Sequence, residues 1–141
     1  MFFLLRDLSN KAVVGFLFSY FYRVYNILYG ASIPLNVDVP KSTVFPHGIH
    51  GIFISKSAII GERVTIYQQV TIGSNQELGH KRFGAPKVGD NCLIGAGAKI
   101  IGNIIIGNNV NFGSNVSVAR DVPGNTTVIV GEQRFISPKS H

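Results

Sequence analysis

Broken every six residues, positions 88–118 read VGDNCL IGAGAK IIGNII IGNNVN FGSNVS V. The first letters of these blocks, Val88, Ile94, Ile100, Ile106, Phe112 and Val118, are all apolar. The same register recurs upstream of an interruption at Ile54, Ile60, Ile66 and Ile72, so ten of ten first positions are apolar. In a chain that is 45% hydrophobic, that is an accident of about 3 in 10,000 for one register. The second letter is glycine in six cases (61, 73, 89, 95, 107, 113), and the fifth is small or aliphatic: Ala58, Val64, Val70, Cys92, Ala98, Ile104, Val110, Val116 and Val122. The fourth letter from residue 91 onward is Asn91, Gly97, Asn103, Asn109, Asn115 and Asp121. Those residue types tolerate a left-handed backbone at a corner. Each hexad therefore reads as a short strand plus a corner with two inward side chains. One hexad cannot bury its apolar pair alone, so the hexads must stack into an all-β solenoid. Looser hexads extend the pattern back to Ile33, Val39 and Phe45.

Composition agrees. The chain has 141 residues, one domain's worth, with only 14% charged residues, too few charges and too many apolar groups for disorder. Its 17 Ile and 15 Val against 8 Leu, with 16 glycines, suit strands joined by tight turns and not a helical bundle. The net charge is +6, but the basic residues are scattered, so no nucleic-acid surface is expected. One cysteine, Cys92, excludes an internal disulfide framework and fits a reducing compartment. The first residues lack the marks of a signal peptide, and the apolar stretch Ala12–Tyr22 is too short to span a bilayer. A cytoplasmic location is expected, with the inner face of the membrane as a variant of it.

Residues 1–29 follow a different grammar and hold nine of the 15 aromatics. Ser9 can cap a helix and Gly30 can close it, giving a helix over roughly 10–29. Its apolar residues lie on nearly every face, so it needs a cover. Packing on its own domain or an oligomer neighbour is the first expectation, and peripheral contact with a membrane surface through residues 1–29 the second. The solenoid is expected over 30–136, with a tail at 137–141. Two breaks interrupt its period: nine residues separate Phe45 from Ile54, with His47 and His50 between them. Sixteen separate Ile72 from Val88, leaving a protruding loop at 74–86 that carries His80, Lys81 and Arg82. Loops on a rigid scaffold are where function concentrates.

These residues resemble the left-handed β-helix acyltransferases of the hexapeptide-repeat superfamily, and within them the serine acetyltransferase branch. The resemblance rests on IYQQVTIG at 66–73, VGDN at 88–91, IGAGAKI at 94–100, and the closing Asp121-Val122-Pro123, Val130-Gly131-Glu132 and Arg134. It implies a left-handed parallel β-helix acting as a homotrimer with sites between subunits, and acetyl-CoA as co-substrate without a metal. The break pattern and helical amino end look closest to bacterial O-acetyltransferases of capsule and lipopolysaccharide synthesis. The expected acceptor is therefore a sugar or polysaccharide hydroxyl. Serine O-acetyltransfer for cysteine biosynthesis, or a non-catalytic β-helix trimer, is the alternative.

Carried over residue by residue, the family's catalytic histidine falls on His47, with His50 as fallback because one inserted residue makes the alignment ambiguous. The carboxylate that the family places fifteen residues earlier is here Ser32, an acceptor-side position. The aspartate usual before the histidine is Pro46, and a substrate-contacting histidine falls on Ala85. Gly73, Ala96 and Ser114 match positions lining the coenzyme groove, and Arg120 and Arg134 match basic positions suited to its phosphates. His80 is placed to reach an acceptor from the loop. Acetyl transfer to an alcohol needs a base for the hydroxyl proton and donors for the developing oxyanion. Imidazole suits the first task at neutral pH. Cys92, at an inward position, reads as a core residue. Three convergent histidines of a zinc carbonic anhydrase are lacking, because 47, 50 and 80 are not separated by whole hexads.

Overall fold

The computed structural model describes residues 1–4 and 15–131. Among the described residues, where 2–4 are also helical, helix α1 (Gly15–Leu28) precedes eleven strands of two or three residues. They fall on three faces. Face A stacks β1 (Phe53–Ile54), β4 (Thr71–Gly73), β7 (Lys99–Ile101) and β10 (Ser117–Val118). Face B stacks β3 (Thr65–Ile66), β6 (Leu93–Ile94), β9 (Asn111–Phe112) and β11 (Thr127–Val128). Face C stacks β2 (Ile59–Ile60), β5 (Lys87–Val88) and β8 (Ile105–Ile106). All pairings are parallel, and the chain visits the faces in the repeating order A, C, B. The result is a three-sided parallel solenoid, as the hexads require.

Every first-position residue from Ile54 to Val118 is buried, as is every fifth-position residue from Ala58 to Val122. Those inward pairs form one continuous core, in which each fully buried aliphatic side chain is worth about 1.5–3 kcal/mol. Ile33 and Val39 are buried with them, while Phe45 is only partly so. The corners are less regular than the fourth letters suggest. Asn91, Gly97, Asn109 and Asn115 have positive φ, but Asn103 and Asp121 do not. At this corner between faces A and C the left-handed residue is Gly102 (φ 93°), and Arg82 O of the protruding loop would lie 3.1 Å from a Cβ there. Arg63, Gln69 and Asn125 also take positive φ, which no fourth-letter rule anticipates for Arg or Gln.

Helix α1 ends where Gly30 allows. Gly30 (φ 58°) donates to Ile27 O at 3.0 Å and Ala31 N to Asn26 O at 2.8 Å, the paired bonds of a glycine-closed helix end. Ser9 and the expected first turns at 10–14 lie outside the described residues. Tyr22 and Asn26 are the buried residues of α1, and they dock it on the first coil. Tyr22 OH donates to Ile33 O at 2.8 Å, Ile33 N donates to Asn26 Oδ1 at 3.1 Å, and Asn26 Nδ2 donates to Tyr22 O at 3.0 Å. The helix thus satisfies edge groups that a coil at the end of a solenoid would leave open. Its other side exposes Phe16, Leu17, Tyr20, Ile27 and Leu28. No helix among the described residues is long and apolar enough to cross a membrane.

The loop at 74–86 leaves face A and re-enters at face C without disturbing the register, since Thr71 still pairs with Lys99 and Ile60 with Val88. It is closed at its neck by reciprocal 2.9 Å bonds between Asn75 and Gly84. It is tied to the coils beyond by Arg82 Nη1, which donates to both Asp121 carboxylate oxygens at 2.9 and 3.0 Å. Asn103 N adds a bond to Arg82 O at 2.9 Å.

Candidate active site

At the corner between faces B and A, successive coils place one residue above another. Gly97 N donates to Gln68 O at 3.0 Å and Asn115 N to Ala96 O at 2.8 Å, which stacks Gln68, Ala96 and Ser114 in a column. The coil below contributes His47, whose Nδ1 lies 2.7 Å from Gln68 Oε1. The Tyr67 ring meets the imidazole edge-on, with centroids 5.6 Å apart at 82°. The irregular turn from Phe45 to Ile54 rises from the same corner, and its Gly48 N donates to Phe45 O at 3.0 Å. His47 is exposed while its Nδ1 side is held. An amide oxygen only accepts, so this contact is a hydrogen bond in the tautomer that carries its hydrogen on Nδ1, the form that leaves the Nε2 lone pair free.

His50 is differently placed. Its ring packs on Tyr29, centroids 4.5 Å apart, and its carbonyl accepts from Gln69 N at 2.8 Å. It builds the corner on which His47 stands. Ser32 is exposed on the edge of face A, and its backbone joins the ladder through Ile52 O and Ile54 N, both at 2.9 Å. The polar partner at the His47 ring is Gln68 and not Ser32. Ser32 shares a groove of about 430 Å³ with Phe53, Lys56, Thr71, Gly73 and Gln76.

Gly73, His80 and Arg120 lie in the connections from face A to face C, Gly73 and His80 around the loop and Arg120 two coils on. Gly73 ends β4 at the base of the loop, and a Cβ there would meet Ile101 Cδ1 at 2.8 Å. His80 is engaged within the loop: its Nδ1 accepts from Arg82 N at 3.0 Å and faces Asn75 Nδ2 at 3.0 Å. Exposed Arg120 lines a groove of about 850 Å³ at the far end of the solenoid, with Ser117, Asp121 and Thr127. Arg134 lies outside the described residues. One chain therefore places His47, Ala96 and Ser114 on the corner from face B to face A, and Gly73, His80 and Arg120 on connections from face A to face C.

Beside Arg82, the Asp121 carboxyl is held below its usual range, chiefly by the bond from Ile105 N at 2.9 Å and then by the guanidinium. Burial pushes the Cys92 thiol up, and its Sγ lies 3.3 Å from Gly107 O. It is a core residue, as its inward position requires. Among the described residues no three His, Cys, Asp or Glu side chains converge as metal ligands.

Gln68, Tyr67 and Lys99 escaped the sequence reading. Lys99 Nζ donates to Gln69 O at 2.6 Å and so braces the corner beneath it. The signal for Gln68 was present in the spacing. Val44 pairs with Thr65, 21 positions on, and the same step from His47 lands on Gln68.

Comparison with known proteins agrees with this architecture. The family described as Bacterial transferase hexapeptide (six repeats) matches residues 85–120. A serine acetyltransferase of Staphylococcus aureus is 43% identical over 100 residues, 71% of this chain and 46% of its own length. The crystal structure of Neisseria gonorrhoeae serine acetyltransferase in complex with serine superposes with a TM-score of 0.69 at 30% identity, covering 82% of this chain and 46% of that one. Entamoeba histolytica serine acetyltransferase 1 in complex with L-cysteine gives 0.68 at 36% identity, covering 81% and 44%. The chain spans about half the length of the relatives it matches. These relatives overturn the expected sugar or polysaccharide acceptor and favour the serine alternative. Pro46 and Ala85 weighed against an amino-acid acceptor, but they are two positions set against a 100-residue alignment at 43% identity. With the hexads, the three parallel faces and these relatives in agreement, the chain belongs to the hexapeptide-repeat transferases, in their serine acetyltransferase-like branch.

Proposed function

We propose that the chain is a left-handed β-helix enzyme that transfers the acetyl group of acetyl-CoA to the hydroxyl of serine. The observation that carries this reading is the column His47–Gln68–Ala96–Ser114 in a chain 43% identical to serine acetyltransferases. In the step proposed, His47 Nε2 takes the serine hydroxyl proton as the oxygen attacks the thioester carbonyl. Backbone N–H groups of the facing coils hold the oxyanion. As the tetrahedral species collapses, the imidazolium returns its proton to the departing coenzyme thiolate. O-acetylserine and free coenzyme A leave, and no protein nucleophile is consumed. The small side chains of Ala96 and Ser114 let a pantetheine arm run along the corner, and Gly73, Arg120 and Arg134 serve the rest of the coenzyme.

The separation of the His47 corner from the A-to-C connections that carry the other candidates supports a homotrimer. Neighbouring prisms would bring the His47 corner of one subunit to the loop corner of the next, so that each site is shared. The buried thiol and the coenzyme both suit a reducing cytoplasm.

The test is release of coenzyme A from acetyl-CoA with and without L-serine, for the wild type and His47→Ala. Serine-dependent release that falls at least 100-fold in His47→Ala is expected, the usual weight of a general base. No serine-dependent release by the wild type, or an undiminished His47→Ala rate, overturns the reading.

A further inference from the structure

We infer that Gln68 is the positioning residue for His47, its neutral side-chain amide taking from the next coil the part that the resemblance gives to a carboxylate at position 32; this rests on the acetyl-transfer role of His47. The geometry is specific. Gln68 Oε1 lies 2.7 Å from His47 Nδ1, and the Tyr67 ring closes one side of the imidazole. The corner bearing Gln68 is fixed from both directions. From below, His50 O accepts from Gln69 N at 2.8 Å, and the backbone of Gly51 (φ 63°) packs on Gln69. From above, Gly97 N donates to Gln68 O at 3.0 Å and Lys99 Nζ to Gln69 O at 2.6 Å. Gln69 itself sits at φ 61°, a conformation that such bracing must hold.

An acceptor fixed in this way has one chemical effect on a neutral imidazole. It keeps the hydrogen on Nδ1 and leaves the Nε2 lone pair for the incoming hydroxyl. Ser32, at the position of the family's carboxylate, joins the face A ladder through its backbone, and the partner at His47 Nδ1 is Gln68. An amide differs from a carboxylate in one respect: it orients the ring without adding a negative charge. The titratable groups near the ring are Tyr67 against it and, across Gly48, Tyr29 and His50. Among the described residues no carboxylate is bonded to it.

The test uses the full chain in wild type, Gln68→Leu and Gln68→Glu. Long-range ¹⁵N–¹H NMR of the histidine rings reads the tautomer without any turnover. The resonances absent from His47→Ala should report hydrogen on Nδ1 in the wild type and on Nε2 in Gln68→Leu. In the coenzyme-release assay, Gln68→Leu should lose roughly 10- to 100-fold in kcat, with KM for acetyl-CoA within about twofold. Gln68→Glu should recover that rate and move the acid limb of the pH–rate profile upward by about one unit or more, because a carboxylate favours the charged ring. An Nε2–H tautomer in the wild type, or an unchanged tautomer in Gln68→Leu, overturns the inference. An unchanged kcat with Leu, or Gln68→Glu failing to exceed it, does so equally. If the wild type fails to use serine while the tautomer responds as stated, the function reading falls and the positioning contact stands.

Discussion

Gly95 and Gly113 occupy the same place in successive coils, one residue after an inward side chain at the corner between faces B and A. Their surroundings differ. A methyl group on Gly95 would stand 2.6 Å from Phe112 O, 2.9 Å from Gly113 C and 2.9 Å from Ser114 N, all backbone of the next coil. On Gly113 the nearest atom would be Val128 O at 3.4 Å, an ordinary contact. Relieving the Gly95 clash means spreading two coils by several tenths of an ångström. That loads the 2.9 Å bond from Gly95 N to Phe112 O. Overpacking of this kind costs about 1–3 kcal/mol, and a weakened ladder bond about 1 kcal/mol more. Loss of chain entropy in the unfolded state returns about 0.4–1 kcal/mol to any Gly→Ala change. Gly95→Ala should therefore destabilise by about 1–3 kcal/mol, whereas Gly113→Ala should be neutral or stabilise by less than about 1 kcal/mol. Urea unfolding followed by circular dichroism at one protein concentration measures both. The concentration must be fixed because self-association shifts apparent stability. If the two variants agree within about 0.5 kcal/mol, the close approach of coils is not what keeps glycine at 95.

Asn26→Leu removes the acceptor of Ile33 N and a bond to Tyr22 O, and should cost about 1–3 kcal/mol in the same urea titration, with a null result refuting the docking role of α1. The depressed Asp121 carboxyl stabilises the fold when ionised. That contribution is present above the ordinary carboxylate range near pH 4 and is lost as pH falls through the lower folded value. The Ile105 amide resonance should titrate below pH 4 in the wild type and not in Asp121→Asn. Cys92, buried with a raised pKa, should ignore Ellman's reagent in the native state and react once per chain in denaturant, since the thiolate is the reactive form. Fast native labelling would place it outside the core.

What could be read in advance followed the length scale of the signal. The hexads are local, so Ile54 to Val118 announced the inward row before any contact was known, and each of those side chains is buried. The docking face of α1 was not legible. Tyr22 and Asn26 look no different in sequence from Tyr20 and Ile27, and only the position of Ile33 in space distinguishes them. At the site, His47 stood out because it interrupts a periodic text. Gln68 did not, because it lies inside a regular hexad and acquires a task only through a neighbour one coil away. The fourth-letter rule failed at Asn103, where the left-handed residue is Gly102 and Asn103 N bonds Arg82 O of the loop, a partner far off in sequence.

The pairing of each strand with its counterpart one turn away has a mechanical consequence. Phe53 faces Thr71 and Lys99 faces Ser117, while even across the loop Thr71 faces Lys99. No strand bond skips a turn, so a pull on the chain end meets the turns in succession, each held to the next by its pairings on the three faces. Under force the molecule should pay out length in steps of one turn, like a chain passing over a ratchet. The step spanning Thr71 to Lys99 should be longer than its neighbours by the contour of the loop.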